Sequence, residues 1–188
     1  MRKVSQMILV LCLVGAVSGG ALVGIYKYSQ PLIKANKKRE IREAIFTVLP
    51  EVKNYEVIIK RGREIYKGFD ASGNLTGYAF IGKGGGYQGE IEVMIGMDPQ
   101  FTETKGIEIL ESVETPGLGA KIASDWFKNQ FKKLNILPFI ELIKGKRPEE
   151  PNQIQAITGA TISSQTVVNI LNKTIKEIGE ELGKRAKG

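Results

Sequence analysis

The sequence predicts an α+β domain carried behind one N-terminal transmembrane helix. Three observations lead there. Residues from Val4 to Tyr26 form a 23-residue run without a charge. Downstream, strand-like and helix-like segments are interspersed without the regular alternation of a doubly wound sheet. The closing stretch, from about Ser163 to Leu182, sets Val167, Ile170, Leu171, Ile175 and Ile178 on one helical face. The expected organisation is an anchor over 1–28, a helical connector over 29–50 and a single globular domain over 51–188.

As a helix, the apolar run would measure about 35 Å, enough to cross a hydrocarbon layer of about 30 Å. Arg2 and Lys3 precede it, as they would in a cleaved signal peptide. The run is long for that role, however, and no small-x-small cleavage site follows, so a retained anchor is the expectation. Gly15 with Gly19, and Gly20 with Gly24, are spaced to admit a neighbouring helix, or simply reflect the glycine content of membrane helices. Pro31 to Leu49 reads as a helix ended by Pro50. Tyr55–Lys60 is strand-like, and Glu64–Phe69 pairs with Leu75–Ile81 across the turn Asp70-Ala71-Ser72-Gly73-Asn74. Glu90–Met97 alternates Ile91, Val93 and Ile95 against Glu90, Glu92 and Met94, the pattern of a half-buried strand. A strand over Gly106–Val113, a helix over Leu118–Lys133 with Ile122, Trp126 and Phe127 inward, a strand over Ile136–Ile143 and a polar loop over Gly145–Gln153 complete the expected series.

The net charge of +7 is unevenly placed. Residues 1–42 hold eight basic side chains and one acidic, Glu40, whereas residues 43–188 are neutral overall. A neutral domain gains nothing from a phosphate backbone, so nucleic acid is not an expected partner. Lys27, Lys34, Lys37, Lys38, Arg39 and Arg42 follow the apolar run, where lipid headgroups are nearest. With no His and a single Cys12 inside the apolar run, the chain has no His/Cys metal set, iron–sulfur or haem ligation, or Ser-His or Cys-His pair. No residue is assigned a catalytic role and no metal site is expected. Any redox work falls to an organic cofactor.

Three short blocks invite a site. Gly84-Gly85-Gly86-Tyr87-Gln88-Gly89 contains a formal G-x-G-x-x-G, but a strand rather than a helix follows it, which rules out a dinucleotide fold; no Gly-Lys-Ser/Thr follows for a P-loop. Its glycines suit a bulged strand connection with positive φ. Glu114-Thr115-Pro116-Gly117-Leu118-Gly119 holds a Pro-Gly turn leading into a helix. Gln155-Ala156-Ile157-Thr158-Gly159-Ala160-Thr161-Ile162-Ser163-Ser164 places hydroxyls at a helix start, suited either to capping it or to meeting a phosphate.

In order and spacing these blocks resemble the FMN-binding domain family, over roughly residues 75–175. The family pattern, Asp-x-x-Ser/Thr-Gly-Ala-Ser/Thr, is met at Thr158-Gly159-Ala160-Thr161, with Gln155 in the acidic position. The resemblance implies covalent FMN, phosphoester-linked to Thr161, in a single FMN-binding domain. A separate flavin transferase would use FAD as donor: the Thr161 hydroxyl attacks the pyrophosphate, FMN phosphate stays and AMP leaves. Gly159 and Ala160 would leave that approach uncrowded, and Thr158 would bond the phosphate or cap the helix. Glu114, Thr115, Gly117, Leu118 and Gly119 would lie beside the isoalloxazine ring, and Gly86 and Tyr87, in a loop of the flavin domain's core, would also contact the flavin. The implied partners are the membrane and redox subunits of an Rnf-type ion-translocating electron-transport complex, in the inner membrane. The positive charge after the anchor argues for a cytoplasmic domain, whereas the resemblance implies an extracytoplasmic one, and the latter is the expectation. A C-type subunit of a Na⁺-translocating quinone reductase, a free-standing extracytoplasmic flavin carrier and a non-flavinylated binding module stay open as alternatives.

Overall fold

The computed structural model describes residues 2–184. The chain divides into two compact units, residues 1–40 and 41–188. The first is one helix: α1 runs Arg2–Val48, and its last turns belong to the second unit. Pro31 lies inside it, so the helix does not restart there as the sequence suggests. Pro31 forfeits one i→i−4 bond, to Lys27, while the turns on both sides continue. The apolar part of α1 is long enough to cross a membrane, and its large side chains are exposed.

The second unit is built on a six-stranded antiparallel sheet whose strands lie in chain order. They are β1 (Asn54–Lys60), β2 (Arg63–Phe69), β3 (Leu75–Gly85), β4 (Glu90–Met97), β5 (Glu103–Ser112) and β6 (Leu134–Asn135). Arg61 and Gly62, at φ 45° and 79°, make the tight turn between β1 and β2. Between β2 and β3 the Asp70 carboxylate accepts the backbone N–H of Ser72 and Asn74, fixing the hairpin register. Asp98 does the same between β4 and β5, accepting from Gln100, Thr102 and Glu103.

Helix α3 (Thr161–Glu181) covers one face. Its Val167, Val168, Ile170, Leu171, Ile175 and Ile178 join Ile65, Phe80, Ile91, Val93 and Ile95 in the main core. The last turns of α1 cover part of the opposite face, where Ala44, Ile45, Val48 and Leu49 meet Tyr66, Ala79 and Met94. β4 is therefore buried on both faces from Ile91 to Met97, not half-buried. Glu92, read as a solvent-side residue, is 3% exposed and accepts a bond from Lys83.

The expected helix over 118–133 is instead three short pieces. A 3-10 turn at Gly119–Ala123 and another at Asn129–Phe131 flank α2, Asp125–Lys128. Ser124 is extended and breaks the run. Ile122, Phe127 and Phe131 are buried, while Trp126, expected inward, is 53% exposed. The expected strand over 136–143 is cut short, because Pro138 has no N–H for a ladder. Only its end is a strand, β7 (Glu141–Ile143), which pairs in parallel with β8 (Gln153–Gln155). β8 leads directly to the start of α3.

Candidate functional site

The turn between β8 and α3 is held by its own backbone and by one serine. Ala160 N–H donates to the Ile157 carbonyl at 3.0 Å. The Ser164 hydroxyl accepts from Ile157 N–H at 3.1 Å and donates to the Ala160 carbonyl at 2.9 Å. Gly159 sits at φ 82°, a conformation that a side chain would strain. Upstream, Gln155 is clamped by Gln130, whose side chain both accepts from its N–H and donates to its carbonyl.

This arrangement sorts the four hydroxyls of the block. Ser163 and Ser164 are buried, and both donate within the protein. Thr158 is exposed and Thr161 half-buried. Thr161 opens α3, and the residue before it, Ala160, provides no side-chain cap. Thr158, for which capping was one expected use, does not cap the helix either. The first-turn N–H groups thus lack the side-chain oxygen that usually meets them, and they lie where the positive end of the helix dipole favours an anion.

The other two blocks converge on the same place. The Tyr87–Gly89 loop closes β3 onto β4, with Gly86 N–H donating to the Gly89 carbonyl at 2.6 Å. None of Gly84, Gly85, Gly86 and Gly89 has positive φ, so the expected bulge with positive φ is not the reason for them. For Gly84, Gly86 and Gly89 the reason is space. A Cβ on Gly84 would lie 2.6 Å from Ile170 of α3, and one on Gly86 would lie 2.2 Å from the Glu114 carboxylate. In the second block, the Thr115 carbonyl accepts from Leu118 and Ala120, and Gly117 turns the chain at φ 79°. Leu118 reaches the third block: its Cδ2 stands 3.4 Å from the position of a Cβ on Gly159.

Glu114, expected beside the ring, turns its carboxylate inward. It is 7% exposed, and its carboxylate faces the protein. Oε1 accepts from the N–H groups of Tyr87 and Gln88, at 2.6 and 3.3 Å, and Oε2 from the Ser163 hydroxyl at 2.8 Å. Gly119 is buried against the same carboxylate, so it too serves Glu114. Thr115 is half-buried and Gly117 exposed.

Large apolar side chains stand in solvent around these anchoring points: Tyr87 at 66% exposure, Val113 at 60%, Leu118 at 49% and Ile162 at 59%. Val113 packs beside Gly89. Together they offer an apolar rim to a planar ligand. The site is an open ledge. A cavity of about 500 Å³ exists elsewhere, along the C-terminal half of α3, lined by Phe101, Ile136, Phe139, Ile175 and Gly179 among others. It includes none of the residues expected to hold the cofactor.

Known proteins are similar to this chain over the region of the blocks and in fold. The family model for the FMN-binding domain matches residues 86–176, which contain all three blocks except the first two glycines. A second model, the TP0183 N-terminal domain, matches residues 20–106. The chain is 30% identical to the G subunit of the ion-translocating oxidoreductase complex of Methanosarcina acetivorans, covering 97% of this chain and 98% of that protein. It is 40% identical over 114 residues to the G subunit of the Na⁺-translocating ferredoxin:NAD⁺ oxidoreductase complex of Acetobacterium woodii, covering 60% of this chain and 54% of that one. Among solved structures, NqrC of Shewanella oneidensis shares the fold at a TM-score of 0.58 and 22% identity, over 68% of this chain and 67% of that one. An FMN-binding α+β domain behind a long apolar helix, matched almost end to end by a relative of similar length, places this chain in the G-type family of subunits from ion-translocating oxidoreductase complexes.

Proposed function

We propose that this chain carries FMN as a phosphoester on Thr161 and relays electrons inside an Rnf-type complex, between redox partners that act on ferredoxin and NAD⁺. The observation that carries the attachment is the sorting of hydroxyls. Of the four in the motif, Ser163 and Ser164 are buried and committed, whereas Thr161 stands at an uncapped helix start beside the apolar rim. When bound, FMN supplies the ability to accept and pass on one or two electrons. The chain's own residues hold it. The first-turn N–H groups of α3 would meet the phosphate, Thr158 would lie on the turn beside it, and Leu118, Tyr87 and Ile162 would cover the ring. Gly117, exposed on the turn beside Leu118, has no side chain to screen its backbone groups from the ring. Attachment needs the Thr161 hydroxyl to displace AMP from FAD, with a flavin transferase taking the proton, since a free hydroxyl is a weak nucleophile. The domain lies on the extracytoplasmic side, where a lost flavin has no ready replacement and a covalent bond has value. Similarity to the full-length relatives supports the complex, and the sequence motif supports the linkage.

The test is co-expression of the full chain with a flavin transferase, followed by denaturing electrophoresis and intact mass. The wild-type band is expected to fluoresce and to carry the mass of one FMN residue. Thr161→Ala abolishes both, and Thr158→Ala keeps them. Fluorescence that survives Thr161→Ala moves the linkage to another residue, and a dark wild-type band removes the covalent reading. Protease digestion of intact spheroplasts tests the side: a fully protected domain refutes the extracytoplasmic placement.

A further inference from the structure

Glu114 touches all three sequence blocks, and we infer that it is a positioning residue that holds the Thr161-bearing helix start, the glycine loop and the Thr115–Gly119 turn in one frame. The inference rests on the reading that FMN is carried at Thr161. Its partners are far apart in the chain: Tyr87 is 27 residues before it and Ser163 is 49 after it. Ser163 lies in the same first turn of α3 as Thr161. One carboxylate oxygen therefore fixes the loop and the other fixes the helix start.

The chemistry matches the residue. Three donors, two N–H groups and one O–H, converge on a side chain that only accepts when ionised. Two glycines keep the space clear. A Cβ on Gly86 would stand 2.2 Å from Oε1, and one on Gly119 would stand 2.4 Å from Oε2 and 2.8 Å from the Ser163 hydroxyl. A methyl group at either position would expel the carboxylate. Glutamine preserves most of the frame: its oxygen accepts from the loop, and its NH₂ donates to Ser163, whose hydroxyl reverses. Aspartate is shorter by one carbon–carbon bond, about 1.5 Å, and cannot reach both sides. Alanine leaves the loop N–H groups without an acceptor.

The expected consequence is on reaction geometry at Thr161. A shift of about 1 Å in a positioned nucleophile costs up to about 100-fold in rate. The experiment measures the initial rate of covalent flavin incorporation into detergent-solubilised full-length chain, with purified flavin transferase and FAD. Glu114→Gln is expected within about threefold of wild type, while Glu114→Ala and Glu114→Asp fall at least about tenfold. Ser163→Ala, which cuts only the helix side, slows incorporation but leaves the Tyr87 and Gln88 amides protected from hydrogen exchange. Combining it with Glu114→Ala adds nothing further, because both act through one frame. Wild-type incorporation by Glu114→Ala, or no rescue by Glu114→Gln, overturns the inference. If wild type takes up no flavin, the Thr161 reading fails instead. The framing role is then judged by exchange alone, and unchanged Tyr87 and Gln88 protection in Glu114→Ala overturns it.

Discussion

Adjacent glycines in the first block give opposite forecasts under substitution by alanine, and the contrast tests why they are there. A Cβ on Gly84 would stand 2.6 Å from Ile170 Cγ1 and 3.0 Å from its Cδ1, whereas one on Gly85 would meet nothing within 4 Å. Ordinary carbon contacts begin at about 3.5 Å, so Ile170 would have to retreat by close to 1 Å. It has little room. Ile170 is 4% exposed and already lies over Gly82, where a Cβ would be 2.7 Å from its Cγ2. Gly84→Ala is therefore an overpacking substitution costing about 1–3 kcal/mol, a fall of roughly 2–12 °C in Tm for a domain of this size. Gly85→Ala restricts the unfolded chain without a clash and is expected to range from neutral to about 1 kcal/mol stabilising. Thermal unfolding of the unflavinylated full chain, followed by circular dichroism, reads both. Ile170→Ala costs about 2–5 kcal/mol alone. Gly84→Ala on that background should cost nothing more, since its methyl group enters the space Ile170 vacates. Equal losses for Gly84→Ala and Gly85→Ala would refute the packing account and return the glycines to a backbone role.

Buried polar contacts give two more expected outcomes. Thr104 is fully buried and donates to the Phe131 carbonyl at 2.6 Å, so Thr104→Val leaves that carbonyl unpaired and is expected to cost about 1–3 kcal/mol in urea unfolding. Burial, and then its bond to Glu64, push the Tyr66 phenol well above the ordinary tyrosine range. Its folded pKa exceeds the unfolded one, so its contribution is intact below pH about 10 and is lost as pH rises towards the folded value. Tyr66→Phe is expected to lose about 1–2 kcal/mol at neutral pH and to show a shallower alkaline decline; an unchanged alkaline slope would contradict this.

The positions of strands β1 to β5 and of helix α3 were legible from local residue type and period. Tyr55–Lys60, Glu64–Phe69 and Glu90–Met97 fall inside observed strands, and the five residues assigned to the inner face of α3 are all buried. Legibility failed where tertiary contacts decide. The alternation in β4 suggested one wet face, but the end of α1 and the Lys83 bond cover it. The segment after Gly119 has helical spacing, yet an extended Ser124 and buried Phe127 and Phe131 hold it as short turns against β5. At the candidate site, the three blocks could be found from residue types alone. The inward use of Glu114 could not, because its partners are 27 and 49 residues away.

The open form of the ledge bears on why a phosphoester would be used there. A free flavin on an exposed apolar rim gains far less burial than one in an enclosed pocket of several hundred Å³. A short tether holds its ligand at an effective concentration of about millimolar. Attachment at Thr161 would therefore keep the ring on the rim even where its non-covalent affinity is only millimolar. A weakly seated ring has a use in a relay, because it leaves one face accessible to successive partners. Rigidity then belongs in a different place from the ring. Fixed geometry would be needed where such a tether began, at the first turn of α3, and that is where Glu114, Ser163, Ser164 and the Gln130 clamp on Gln155 concentrate their hydrogen bonds.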